Sequence, residues 1–426
     1  MRISSVQTHL LSYPLPEPLK FTYHGGERSI VKRDAMLIRV EADNGLVGYA
    51  PGEGTERAKS RIDSTIGPFL ENRALSDPDV LRIHFLEGSG RDFELQRLYC
   101  AVEIALYDLA GKAKGVPVSE LIGGRQRDRI RLYGSAGMYM TPEKYAEEAQ
   151  AISQLGFRAY KMRAGIGPEK DLDTVRQMRE AVGPDFDLMI DAHAWWGMGE
   201  RNYAQSSIDK LAEELGSHNV AWLEDPLPPT DHEGYKRLKE LEFVTVAAGV
   251  HEPDEPGYLD LISTESVDCV QMDLVSQGGY TTARRLLNEI SRAGLKFAFH
   301  SWGTALDVVA AAQLGVCWPD QLCEWLEYPC YSAPARAGMY PFPLAADVLK
   351  EPLQLDQGDL VVPKGPGLGV EIDEGVIERY PWIPGEWSFL GMESLRDALR
   401  TDAGRAPEEA PGKPAGEATS RARRPA

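Results

Sequence analysis

From residue 129 onward the apolar and polar positions follow a repeating rhythm, a short apolar run and then a longer segment with helical spacing. The runs are IRLYG (130–134), FRAYKM (157–162), FDLMID (186–191), VAWLED (220–225), FVTVAAG (243–249), VDCVQMD (267–273), LKFAFH (295–300) and QLCEWL (321–326). Between them lie amphipathic patterns such as PEKYAEEAQAISQLG, in which Tyr145, Ala149, Ile152 and Leu155 share a face and Gly156 ends it. Eight strands alternating with helices predict a closed parallel α/β barrel. An open doubly wound sheet is the runner-up, but it calls for a glycine-rich phosphate turn after its first strand, and YGSAGMYM is a poor match.

The flanking segments keep other rhythms. MLIRVE (36–41) alternates apolar and polar toward its end, and Asp43-Asn44-Gly45 supplies a hairpin turn. LYCAVEIALYDLAGKAKG reads as a long helix stopped by Gly115 and Pro117. Hairpin spacing returns after residue 345. The expected division is an α+β capping domain over 1–128, the barrel over 129–344, and a C-terminal segment, 345–395, packing on the capping domain. The tail 403–426, rich in Ala, Pro, Gly and charge, has little to bury and is expected to be disordered.

Composition narrows the function classes. With 43% apolar and 26% charged residues, the chain can bury a sizeable core. A net charge of −19 argues against nucleic-acid binding, which needs a basic surface. There is no apolar run long enough for a bilayer and no secretory pattern in MRISSVQTHLLSYPLPEP. Cys100, Cys269, Cys317, Cys323 and Cys330 lack metal-ligand spacing, so a cytoplasmic protein with reduced thiols is expected.

In a β/α barrel the working residues sit at the carboxyl ends of the strands. Those ends carry Lys161 and Arg163, Asp191 and His193, Glu224 and Asp225, His251 and Glu252, then Asp273, His300 and Glu324. Carboxylates on successive strand ends suit a hard, oxygen-preferring cation such as Mg²⁺. Asp225 precedes Pro226 and reads as a turn residue. Asp273 and His300 end neighbouring strands, so their side chains can meet. A carboxylate on one ring nitrogen fixes the tautomer and raises basicity, as a general base near neutral pH requires.

AVEIALYDLAGKAKGVPVSELIGG, GFRAYKMRAG, WLEDPL, FAFHSWGT and VPKGPGLGVEIDE together resemble the mandelate racemase branch of the enolase superfamily, over residues 1–390. The resemblance implies a modified (β/α)7β TIM-type barrel with an α+β capping domain built from both chain ends, and a homo-oligomer. It also implies Mg²⁺ as cofactor on three carboxylates, and removal of the α-proton of a small-molecule carboxylate substrate. Its metal ligands fall on Asp191 and Glu224. The third ordinarily follows a glycine at the end of the fifth strand, where Gly249 is here followed by Val250, and valine cannot ligate. Glu252, on the same side of an extended chain, is the expected third ligand, with His251 as the alternative.

The family's base and its partner fall on His300 and Asp273. Its Lys-x-Lys motif reads Lys161-Met162-Arg163, and arginine is a poor base. Lys161 and Arg163 are therefore expected to hold the substrate carboxylate and its enediolate. His193 resembles the acid or base histidine of some acid-sugar dehydratases. Glu324 matches the eighth-strand glutamate that bonds the substrate, as a protonated acid, with Glu327 as a rival. Capping loops Leu15–Ser29, including Tyr23 and His24, and Ala50–Glu56 are expected to set specificity, the first being mobile. The expected reaction is dehydration of a sugar acid, an aldonate or aldarate, to a 2-keto-3-deoxy acid. The alternatives are a racemase, epimerase or lactone cycloisomerase, and a ligand-binding barrel without turnover.

Overall fold

The computed structural model describes residues 1–23, 26–330 and 342–390. His24 and the tail 403–426 lie outside them. The chain opens with two long strands, β1 (Ile3–Tyr23) and β2 (Gly26–Ala42), paired antiparallel as a hairpin, followed by β3 (Val47–Gly52) on the other edge of β2. Within the segment expected as a mobile loop, 15–29, residues 15–23 and 26–29 are instead strand. After a register shift between Pro14 and Leu19, pairing resumes from Leu19↔Ile30 to Tyr23↔Gly26. The irregularity falls at Pro14-Leu15-Pro16, where missing N–H groups interrupt the ladder.

The helix Phe93–Lys114 packs on this sheet. Asp92 caps its start by accepting from the Leu95 N–H, and Gly115 ends it in a left-handed conformation. The two elements approach so closely at Gly48 that an added Cβ would stand 2.1 Å from the Ala105 carbonyl oxygen.

Eight parallel strands then form the barrel: β4 (Arg129–Ser135), β5 (Ala159–Arg163), β6 (Asp187–Asp191), β7 (Val220–Glu224), β8 (Val246–Ala248), β9 (Cys269–Asp273), β10 (Lys296–His300) and β11 (Cys323–Pro329). Each pairs with its neighbour in sequence, and β11 closes the ring on β4. Every apolar run read from the sequence carries one of these strands. The last strand begins later than read and runs on through Pro329.

Side chains alternate across a strand, so every second residue points inward. One interior layer is apolar and takes one residue from each strand: Tyr133, Ala159, Met189, Trp222, Ala247, Cys269, Ala298 and Trp325. Large and small residues interleave there into a solid plug. Two residues further along each strand stand Ser135, Lys161, Asp191, Glu224, Gly249, Gln271, His300 and Glu327. The sequence thus lays a polar floor directly on the plug, at the carboxyl end of the barrel.

The C-terminal segment divides. Its hairpin, β12 (Leu355–Asp356) and β13 (Asp359–Val361), extends the barrel sheet by pairing with the start of β4, rather than joining the cap as expected. β14 (Ser388–Leu390) pairs antiparallel with β2. Among the described residues no helix is long and apolar enough to cross a membrane.

Candidate active site

The floor residues contact one another. Lys161 Nζ donates to Glu224 Oε1 at 2.6 Å and lies 3.2 Å from Glu327 Oε1. Glu224 Oε2 accepts from Gln271 at 2.8 Å and from the Trp222 indole at 3.1 Å. Burial works against the charge on Lys161, but Glu224, Glu327 and Asp191 outweigh it and raise its pKa, which favours the ammonium form. Glu327 is pulled down to about 2: burial opposes ionisation, and Lys161, His300 and Arg163 overcome it. It is an anionic acceptor, not the protonated acid expected from the sequence.

His300 Nδ1 lies 2.9 Å from Asp273 Oδ2, and Asp273 Oδ1 accepts from the Ser276 N–H at 2.8 Å. The carboxylate is held from two sides and fixes the imidazole. Burial lowers the pKa of His300, but Glu327 and Asp273 raise it more, and the net shift is upward. Its Nε2 faces the floor, 3.6 Å from Glu327 Oε2.

One layer above the floor stand Arg163, His193, His251 and Trp302. The Arg163 guanidinium lies 4.1 Å from the centre of the Trp302 ring, and its Nε is 3.7 Å from Asp191 Oδ2. His193 Nδ1 is 2.7 Å from Asp191 Oδ1. His251 faces Asp225 at 3.6 Å and packs near His193 and Trp196. Its pKa falls to about 4, through burial first and then the charge of His193. From the cap, Arg33 reaches the Trp302 ring at 5.5 Å, and Phe21 packs on Tyr139 beside the mouth. Tyr23 ends β1 opposite Gly26.

The structure therefore gathers Lys161, Arg163, Asp191, His193, Glu224, Asp273 and His300 at one mouth. Two expected site residues are elsewhere. Glu324 lies below the plug residue Trp325, at the opposite end of the barrel, where it pairs with Arg131. A register shift between β10 and β11 separates it from the alternation that brings Glu327 inward. Glu252 turns away from the mouth and accepts from His232 Nε2 at 2.9 Å, because the chain leaves β8 through Gly249 (φ +135°) and is no longer extended. An added Cβ at Gly249 would stand 2.3 Å from the Gln271 carbonyl oxygen, so glycine is required there. Gln271 was missed as a floor residue. Its place two residues before Asp273 in an alternating strand is the signal that finds it.

Members of the enolase superfamily generally use Mg²⁺. The donors here do not fit a cage of three carboxylates. Asp191 and Glu224 are present, paired in register across β6 and β7, but the third position is Val250. Both oxygens of Glu224 already accept from protein donors. Among the described residues no group of three or more His, Cys, Asp or Glu side chains gathers closely enough to hold a metal ion.

Comparison with known proteins agrees with this architecture. Residues 144–376 match the family described as enolase C-terminal domain-like, and residues 14–123 match the mandelate racemase/muconate lactonizing enzyme N-terminal domain. The chain is 28% identical over 389 residues to D-galactarolactone cycloisomerase of Agrobacterium fabrum, covering 89% of this chain and 99% of that protein. It is 29% identical over 381 residues to D-xylonate dehydratase of Haloferax volcanii, covering 83% and 87%. Among solved structures, 3,6-anhydro-D-galactonate cycloisomerase from Zobellia galactanivorans superposes with a TM-score of 0.76 at 28% identity, covering 89% of this chain and 99% of that one. The capping sheet, the closed barrel and both family matches lead to one conclusion: the chain belongs to the mandelate racemase/muconate lactonizing enzyme family of the enolase superfamily.

Proposed function

We propose that this protein removes the proton α to the carboxylate of a sugar acid and dehydrates it to a 2-keto-3-deoxy acid. The observation that carries this reading is the pairing of His300 with Asp273 opposite a protonated Lys161. Asp273 holds the proton of His300 on Nδ1, which leaves Nε2 with a lone pair toward the floor. Lys161 and Arg163 supply fixed positive charge where the carboxylate becomes an enediolate.

In the first step His300 Nε2 takes the proton from C2, and the C–H electrons pass into the C2–carboxyl carbon bond. The C3–O bond then breaks, and the departing hydroxide takes a proton from the His300 imidazolium or from His193, leaving as water. The resulting enol tautomerises to the keto acid. Lys161 in its ammonium form is no base on the opposite face, which disfavours racemisation. Dehydratases of D-xylonate and D-gluconate are among the relatives and support this reaction class. Incubation with a panel of aldonic and aldaric acids, with and without Mg²⁺, should yield a 2-keto acid from at least one; silence across the panel would contradict the proposal.

A second reading, lactone cycloisomerisation, is favoured by the match across 99% of D-galactarolactone cycloisomerase. It also needs only one strong base. Conversion of a lactone to an isomer of unchanged mass, with no water lost, would select it.

A further inference from the structure

We infer that Lys161 is the resident cation of this barrel, supplying from within the chain the positive charge that a three-carboxylate cage draws from a metal ion. The inference rests on reading the site as one that forms an enediolate. Three observations carry it.

The third ligand position is occupied by Val250, and the nearest carboxylate downstream, Glu252, is committed to His232 on the far side of the loop. The two remaining carboxylates are already neutralised by the protein. Lys161 and two further donors engage both oxygens of Glu224, while His193 and Arg163 face the two oxygens of Asp191. Lys161 is itself only 1% exposed, set on the Tyr133 ring at 5.3 Å, so its ammonium is a fixed part of the floor and not a visiting side chain. A divalent ion approaching Glu224 would have to displace a buried ammonium, and position 250 offers it no ligand.

An ammonium offers three N–H donors. One serves Glu224 and one faces Glu327, which leaves the third for a substrate carboxylate oxygen. Buried cations fixed in advance in a site of low dielectric stabilise a developing enediolate without reorganisation. Asp225 and His251, 3.6 Å apart at the rim, are further donors from which a metal could be held, and the test includes them.

The experiment titrates the full-length protein with Mn²⁺, followed by the electron paramagnetic resonance signal of the free ion, and with Mg²⁺ by calorimetry. The wild type should leave both ions free even at millimolar concentration. The double variant Lys161→Met, Val250→Glu, checked by circular dichroism for a wild-type fold, clears the ammonium and restores a carboxylate. It should bind one Mn²⁺ per chain roughly tenfold or more tightly than the wild type. Saturable binding by the wild type that is lost in Glu224→Gln, Asp225→Asn or His251→Ala would overturn the inference. So would α-proton exchange that stops in EDTA and returns with Mg²⁺. Absence of exchange with every acid under every condition would count against the proposed reaction alone, because the metal titration decides the inference without a substrate.

Discussion

Oε2 of Glu327 lies 3.6 Å from Nε2 of His300, the ring nitrogen that Asp273 leaves open. A buried anion at that distance favours the imidazolium and raises the pKa of the base. The neutral, basic form therefore prevails only above a pKa that itself lies above 6.5. The acid limb of kcat/KM should fall at that raised value. Glu327→Gln removes the anion, so the limb should move to lower pH while the plateau drops. A limb that stays in place would show that Glu327 does not tune His300.

Asp273 divides its oxygens, Oδ2 toward His300 and Oδ1 toward Ser276. Asp273→Asn can keep the Ser276 bonds through Oδ1 while turning an N–H donor toward the ring. The imidazole would then present the wrong tautomer. Turnover should fall ~100- to 10,000-fold with little change in the melting temperature. A small loss of activity would remove Asp273 from its orienting role.

Glu324 and Glu327 are three residues apart on one strand yet lie at opposite ends of the barrel. Glu324 shares a partly exposed ion pair with Arg131, the kind of contact worth about 0–1 kcal/mol. Glu324→Gln should leave kcat/KM within a factor of about two and cost less than ~1 kcal/mol of stability. Kinetics of the two variants side by side test the placement; a large activity loss in Glu324→Gln would reverse it.

Glu148 is buried on the helix beside β5, where its Oε1 accepts from the Tyr160 hydroxyl at 2.5 Å and its Oε2 has no hydrogen-bond partner. Burial pushes its pKa up to about 8, with Tyr160 and Arg163 pulling only weakly the other way. Between the unfolded value of 4.5 and about 8, the folded state holds a proton that the unfolded state has released. Stability should therefore fall as pH rises through that window. Glu148→Gln removes the titration and should flatten the dependence, gaining ~1–3 kcal/mol at the alkaline end. Chemical denaturation at a series of pH values measures it, and parallel curves for wild type and variant would contradict it.

The barrel was legible because each of its strands keeps a period of two around a plug residue, and the same period writes the floor. Lys161, Asp191, Glu224 and His300 are each two positions past a plug residue, so a sequence reading reaches them. The reading of Glu324 failed where the alternation does. A register shift at the start of β11 decides which glutamate points inward, and no local pattern announces it. Glu252 was lost to backbone geometry, since extrapolating an extended strand past Gly249 ignores the left-handed φ at which the chain turns. The loop expected at 15–29 follows from the family resemblance and its mobility from two glycines, but pairing of Leu19–Tyr23 with Gly26–Ile30 overrides that local bias. The charge state of Glu327 follows from three neighbours remote in sequence and could not be read locally.

The proposed reaction depends on His300 removing the α-proton. The most direct test follows exchange of that proton in D₂O by ¹H NMR, for whichever acid the wild type accepts, in wild type and in His300→Asn. Exchange or elimination is expected in the wild type and neither in His300→Asn, with the variant still folded and still binding the acid. Exchange that persists at the wild-type rate in His300→Asn would contradict it.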